Sequence, residues 1–297
     1  MVLVLYLSYI KNIKIGYTKM GIRIVSGRRL RELEAFLDEA EYPSHCVHCP
    51  GLKGEPLHHP SYEVTGECNL NCVFCYAYSA KKAGKLPNPG YYGCEDARAI
   101  TVSQYGEPTI IGLEKLEKLF SLLKKKFGAR IDLQTNGVLL DREVSADLVM
   151  VSLSASNRKS YASLTGHDFF ERVVKNLNFV KKGIIRCVFL PGINDGEVVE
   201  IGKIADEKGM EFMLQPCSIH PGLKERLEKA GYDFERDTLY DYLDSAERSG
   251  AKIPGCLLKI VRDMLELESF EEIAFSRKGF SSRPPEIRRE WKFCFDL

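Results

Sequence analysis

From Tyr62 onward, short apolar runs alternate with segments whose apolar residues recur every three or four positions. The runs at 62–67, 98–103, 130–135, 148–154, 184–190 and 211–215 read as strands, several of them almost continuously apolar. That pattern suits a parallel sheet buried on both faces. Between them, Leu113, Leu116, Leu119, Phe120, Leu123 and Phe127 make one helical stripe. Phe170, Val173, Val174, Leu177 and Val180 make a second, with Asp168 as its expected N-cap. Val198, Ile201, Ala205 and Lys208 make a third, opened near Asn194-Asp195 and closed by Gly209. Upstream, 21–25 reads as a strand, and Leu30, Leu33, Leu37 and Ala40 as a helix face; downstream, 238–250 and 256–268 read as amphipathic helices. Six strands with right-handed helical crossovers predict an α/β fold, a partial (β/α)6 TIM-type barrel. The expected division is an N-terminal extension over 1–60, a core barrel over 61–222, and C-terminal helices with a basic tail over 223–297.

Functional residues of such barrels gather at the C-terminal strand ends. Here the first strand runs into Cys68-Asn69-Leu70-Asn71-Cys72-Val73-Phe74-Cys75-Tyr76, and the second into Gln104-Tyr105-Gly106-Glu107-Pro108. The next two end in Gln134-Thr135-Asn136-Gly137 and Ser152-Leu153-Ser154-Ala155. The last two end in Pro191-Gly192-Ile193-Asn194-Asp195 and Gln215-Pro216-Cys217. Ordinary loop chemistry covers any one of these ends, but covers all six poorly. Three thiolates spaced four and then three apart suit a single soft centre, of which an iron–sulfur cube is the common occupant. A cube needs four ligands, so one iron stays open, and an open metal position is a catalytic feature. Three unrelated thiols, or part of a zinc site, are the alternatives.

Composition adds limits. The chain has 297 residues, 44% hydrophobic and 28% charged, with a net charge of +1, so no global field points to nucleic acid or an anionic membrane. The apolar start at 1–10 is too short to span a bilayer and has no secretory pattern; it reads as an edge strand, or as sequence upstream of a true start at Met20. Ten cysteines without a secretory signal fit a reducing cytoplasm. His45-Cys46-Val47-His48-Cys49, followed by His58-His59, resembles half of a zinc or second cluster site. Cys94, Cys256 and Cys294 are candidate partners, so Cys46, Cys49 and Cys94 form a candidate accessory metal set; reduced cysteines on a loop are the alternative. Lys124-Lys125-Lys126 reads as a solvated helix end. The basic tail over 277–292, with Pro284-Pro285 and the single Trp291, either contacts a phosphate-bearing substrate or RNA, or packs back through Trp291.

Over about 62–217 the chain resembles the radical S-adenosylmethionine (radical SAM) superfamily. The resemblance rests on CNLNCVFCY at 68–76, YGEP at 105–108, TNG at 135–137, the serine-rich end of the fourth strand and PGIND at 191–195; Tyr105 stands where the family usually has the first glycine of GGEP. It implies that Cys68, Cys72 and Cys75 hold three irons of a [4Fe–4S] cluster and that S-adenosylmethionine chelates the fourth. An electron from a ferredoxin- or flavodoxin-type donor then splits the sulfonium, and the 5′-deoxyadenosyl radical takes a hydrogen atom from the substrate. By the same resemblance Tyr76 lies near the adenine, and Gly106 and Glu107 receive the methionine amino group. Ser152 and Ser154 reach ribose or carboxylate, Gly192 and Ile193 approach the adenine, and Asn136 and Gln215 sit at the mouth. Arg186 pairs with the cofactor carboxylate or faces outward. Cys217 is a candidate catalytic thiol, with a buried apolar role as its alternative.

The chain carries no ferredoxin-like insert, no dense C-terminal cysteine array and no segment suited to cobalamin. The expected roles that remain are cofactor or metallocluster biosynthesis, maturation of another enzyme, or tRNA modification, on a small or macromolecular substrate. A metal-binding or iron–sulfur protein without turnover is the alternative of another class.

Overall fold

The computed structural model describes residues 13–18, 21–53, 59–276 and 281–297. The apolar start at 1–10 and His58 lie outside the described residues. Strands β1 (Ile13–Thr18) and β2 (Gly21–Ser26) pair antiparallel and lead into α1 (Gly27–Glu39). Ser26 caps that helix by accepting the Arg29 N–H at 3.1 Å, and Leu30, Leu33 and Leu37 form its buried face.

The main sheet contains β3 (Ser61–Glu63), β4 (Gly90–Tyr92), β5 (Ala99–Val102), β6 (Arg130–Thr135), β7 (Leu148–Ser152), β8 (Gly183–Phe189), β9 (Glu211–Pro216) and β10 (Trp291–Phe293). Their order is β10-β4-β3-β5-β6-β7-β8-β9. The run from β3 through β5, β6, β7 and β8 to β9 is parallel and in chain order, the expected partial barrel; β4 and β10 extend its first edge antiparallel. Helices α2 (Tyr76–Lys82), α3 (Leu113–Phe127), α4 (Arg158–Thr165), α5 (Phe170–Asn176) and α6 (Val198–Glu207) lie in the crossovers. They are followed by α7 (Lys224–Lys229), α8 (Leu239–Arg248), α9 (Gly255–Leu265) and α10 (Phe270–Ala274).

Alternation along the strands divides the core. Ile131 and Leu133 join the large apolar cluster with Leu116, Leu119 and Phe120 of α3. Leu148, Met150, Ile184 and Met213 form a separate small cluster. The chain ahead of β3 brings His45 to Asp132, Nδ1 to Oδ2 at 2.7 Å. Arg130 grips both Asp132 oxygens at 2.7 and 2.8 Å and donates to the Ser44 and His45 carbonyls. A fully buried carboxylate is tolerable here because it is paired and hydrogen-bonded. The extension also docks on the C-terminal helices. Helix α1 packs on α8 and α10, Arg29 pairs with Asp244 at 2.9 Å, and Arg262 donates to the Leu37, Asp38 and Ala40 carbonyls.

Two local expectations are corrected. The first strand ends at Glu63, four residues early, because the chain turns so that the Glu67 carbonyl accepts the Glu107 N–H at 2.8 Å. Asp168 does not cap α5; Phe169 holds that place, and Asp168 accepts from Arg158 at 3.1 Å. The lysine run is the solvent-facing last turn of α3, as expected; Lys124 also donates to the Ser145 carbonyl and pairs with Asp147, and the Lys126 ammonium lies 4.8 Å from the Phe293 ring centre. The tail packs back through Trp291, one of its two expected readings, and forms a strap across the barrel's open edge. Ser281 N–H donates to the Ile219 carbonyl beyond β9, while Trp291 donates to the Pro89 carbonyl and β10 pairs with β4. Among the described residues, no helix is long and apolar enough to cross a membrane.

Candidate active site

The cysteine loop follows β3 and is pinned by hydrogen bonds to α4 and α7. Asn71 N–H donates to the Thr165 carbonyl at 2.8 Å and Val73 N–H to the Leu164 carbonyl at 2.9 Å, both at the end of α4. The Arg226 guanidinium caps the loop from α7, donating to the Asn71 and Cys72 carbonyls and lying 4.2 Å from the Tyr78 ring centre. Gly106 closes the other side. Its φ is +68°, and a Cβ there would sit 2.1 Å from the Thr65 carbonyl oxygen, so only glycine allows this approach.

Glu107 ties the strand ends together. One oxygen accepts the Thr109 N–H and hydroxyl and the Thr135 hydroxyl (2.7–3.0 Å); the other accepts the Asn136 N–H at 2.6 Å. Burial pushes its carboxyl above the usual range. Asn136 in turn donates to the Asn69 side chain at 2.7 Å and approaches the Cys68 Sγ at 3.8 Å. Glu63, which sequence reasoning passed over, accepts the Ser103 hydroxyl and the Tyr105 N–H at 2.7 and 2.9 Å and so sets the YGEP turn. A buried acid on a three-residue strand leaves no periodic signal.

One cavity collects most of the expected residues. Cys68, Cys72 and Cys75 line it together with Tyr76, Gly106, Glu107 and Asn136. Ser152, Ser154, Arg186 and Gln215 line it too. Arg186 faces into it and not outward: it donates to the Gln134 amide oxygen at 2.8 Å and the Ser152 hydroxyl at 3.2 Å. Both partners are neutral, and burial lowers the guanidinium pKa. The Tyr76 hydroxyl donates to the Gln104 carbonyl, and its ring meets the Tyr105 edge at 5.2 Å. Gln134, expected at its strand end, lines the cavity as well, and Tyr161 and Thr165 complete walls that the motifs did not announce.

Three expected residues lie outside the lining. Gly192 and Ile193 do not reach the cavity; their turn packs on the Gly231–Asp233 chain, with the Asp233 N–H on the Pro191 carbonyl at 2.8 Å and only 2.8 Å between a Gly192 Cβ and the Gly231 oxygen. Cys217 is buried in the apolar core, while its neighbours Pro216 and Ser218 line the cavity, as strand alternation requires.

The thiols discriminate between metals. Among the described residues, the trio of ligand atoms gathered within 4.8 Å is His45, His59 and Asp132. Cys68, Cys72 and Cys75 all line the one cavity, with no fourth cysteine among the described residues of its walls. Three soft donors spread around one cavity therefore fit a polynuclear iron–sulfur cluster better than a single ion. Burial pushes the Cys68 thiol up to about 11, so loading the cluster must displace protons. Of the accessory candidates, Cys46 and Cys49 are buried near Cys256, Cys46 accepting the Gly255 N–H at 3.4 Å with its thiol pushed up to about 12, while Cys94 is exposed beside Asp96. The histidine trio is a poor metal site, because Arg130 already neutralises Asp132.

A parallel α/β partial barrel with three thiols at its mouth and a cavity among the strand ends defines a class of enzyme. The chain belongs to the radical SAM superfamily, whose family model matches residues 62–205. It is 36% identical over 256 residues to an uncharacterized protein of Methanocaldococcus jannaschii, covering 78% of this chain and 87% of that one. It is 27% identical over 217 residues to a probable GTP 3′,8-cyclase of Aeropyrum pernix (65% of this chain, 59% of that one). It is also 26% identical over 238 residues to a 7,8-dihydro-6-hydroxymethylpterin dimethyltransferase of M. jannaschii (69% and 44%). The matches thus span less than two thirds of the cyclase and less than half of the methyltransferase.

Proposed function

We propose that this enzyme cleaves S-adenosylmethionine reductively at a [4Fe–4S] cluster held by Cys68, Cys72 and Cys75, and abstracts a hydrogen atom from a substrate of cofactor or metallocluster biosynthesis or of enzyme maturation. The observation that carries the reading is Arg186. Its half-buried guanidinium shares a wall with the three thiols, and among the described residues no carboxylate pairs with it. A desolvated cation with only neutral partners attracts an anion strongly, and the cofactor's carboxylate is one. When bound, the cluster supplies the single electron that splits the sulfonium of S-adenosylmethionine.

The protein's own groups do the rest. Arg186 and Ser152 hold the carboxylate, and the free capacity of the Glu107 oxygen that faces Asn136 accepts from the amino group. Ser154, Asn136 and Gln215 meet the remaining polar edges, and Tyr76 walls the side toward Tyr105. The cavity sequesters a reactive intermediate from water.

The test is oxygen-free reconstitution with iron and sulfide, followed by S-adenosylmethionine and dithionite. The wild-type protein forms 5′-deoxyadenosine; Cys72→Ala forms none and loses the cluster absorbance. Arg186→Met keeps its iron and raises the apparent KM for S-adenosylmethionine at least about tenfold, the loss of one charge-assisted contact. Normal cleavage by Cys72→Ala refutes the ligand set.

A further inference from the structure

A second cavity of about 840 Å³ adjoins the first, a size suited to a small-molecule ligand. Gln104 belongs to the walls of both. One side of the second cavity is formed by His59, just ahead of β3, and Ser61 on that strand. The other side is the strap, which contributes Arg283, Arg288 and Arg289 with Glu286. Glu286 also lies 3.9 Å from Lys85. The strap is held in place at both ends, by the Arg283 carbonyl on His220 Nδ1 at 3.0 Å and by β10 on β4, and Pro284-Pro285 stiffens it between.

Two groups here are unsatisfied, the Ser61 hydroxyl and a ring nitrogen of His59. His59 is 2% exposed, and its Nε2 lies 2.7 Å from the His45 carbonyl oxygen, an acceptor only. That nitrogen therefore carries the proton, leaving Nδ1 as an acceptor, and Nδ1 has no hydrogen-bond partner. A buried acceptor in a cavity wall calls for a donor. Burial holds the ring's pKa down to about 4, so it stays an acceptor at neutral pH.

We infer that this cavity is the substrate site and that it takes a small molecule bearing a phosphate or carboxylate, held by the strap arginines, and a hydroxyl or amino donor that reaches His59. Gln104 brings that substrate against the cofactor cavity, so the inference rests on the reading of the first cavity proposed above. Arginine forks suit either oxyanion, and the hydroxyl separates the substrate from simple anions. Closure by the strap favours a small molecule over a polymer.

The experiment titrates the cluster-loaded full chain, saturated with S-adenosylmethionine, with two pairs of compounds that differ only in hydroxyl groups: glycerol phosphate against propyl phosphate, and citrate against tricarballylate. Binding is read by calorimetry and by emission of Trp291, the single tryptophan, at the end of the strap. The expected result is saturable binding of one hydroxylated member, with a Kd near or below about 1 mM, at least about tenfold tighter than its partner. The pair that binds tells phosphate from carboxylate. Arg288→Ala with Arg289→Ala weakens this binding at least about tenfold, and His59→Phe removes the preference for the hydroxylated member. Lys203→Ala, on α6, changes neither. Normal S-adenosylmethionine cleavage with no small-anion binding overturns the inference while sparing the cofactor site. So does binding of long single-stranded RNA alone, or hydroxyl-independent binding by the wild-type protein, a result that needs no variant to fold.

Discussion

At the scale of single residues, the YGEP and TNG segments act on the protein before they act on a ligand. Glu107 gathers four donors from three residues, and Gly106 is demanded by the Thr65 backbone. These positions were legible because their spacing is local. Arg226 and Glu63 were not, since an arginine and an acid mean nothing until one sees what they face. Asp132 is the clearest case. Burial alone would raise its pKa, but hydrogen bonds from His45 and Arg130 outweigh it and hold the carboxyl below the usual range. Its contribution to stability is therefore full above the ordinary carboxylate value and is lost as pH falls through the lowered folded value. Asp132→Asn is expected to destabilise the fold by about 3 kcal/mol at neutral pH, because Arg130 loses its counterion, and to flatten the stability profile below about pH 4; urea titrations across pH measure both.

At the scale of elements, the parallel strands β5 to β9 were read to within a residue or two, while β1, β4 and β10 were missed. β4 has three residues and no period to detect. β10 did carry a signal, the alternating Trp291, Phe293 and Phe295, masked by the basic residues ahead of it. Phe293 stacks on Tyr91 at 5.3 Å, a pairing that no local pattern contains. The PGIND turn is a joint and not a cavity wall. Asn194 is fully buried, accepts the Leu190 N–H at 2.8 Å and donates to the Ser154 and Val188 carbonyls at 2.9 and 2.8 Å. Asn194→Ala leaves those groups unpaired and is expected to cost about 2–3 kcal/mol, seen as a lower urea midpoint with an unchanged m-value.

At the scale of the whole molecule, the extension, barrel and C-terminal helices share one continuous core, from Leu30 through Ala274. The cysteine loop hangs on that core by backbone hydrogen bonds to α4 and by Arg226. Stripping iron with a chelator is therefore expected to abolish S-adenosylmethionine cleavage while leaving the far-UV spectrum intact and moving Tm by no more than about 5 °C, unlike small zinc domains that unfold without metal. Circular dichroism of chelated and reconstituted protein checks it.

The order of the parallel strands, the stripes on their helices and the three-thiol loop were written in the linear chain, because periodicity and spacing are local properties. Which arginine enters a cavity, which cysteine turns into the core and where the tail lands were decided only by folding. Each of those depends on residues tens to hundreds of positions away, and no window along the chain contains both partners.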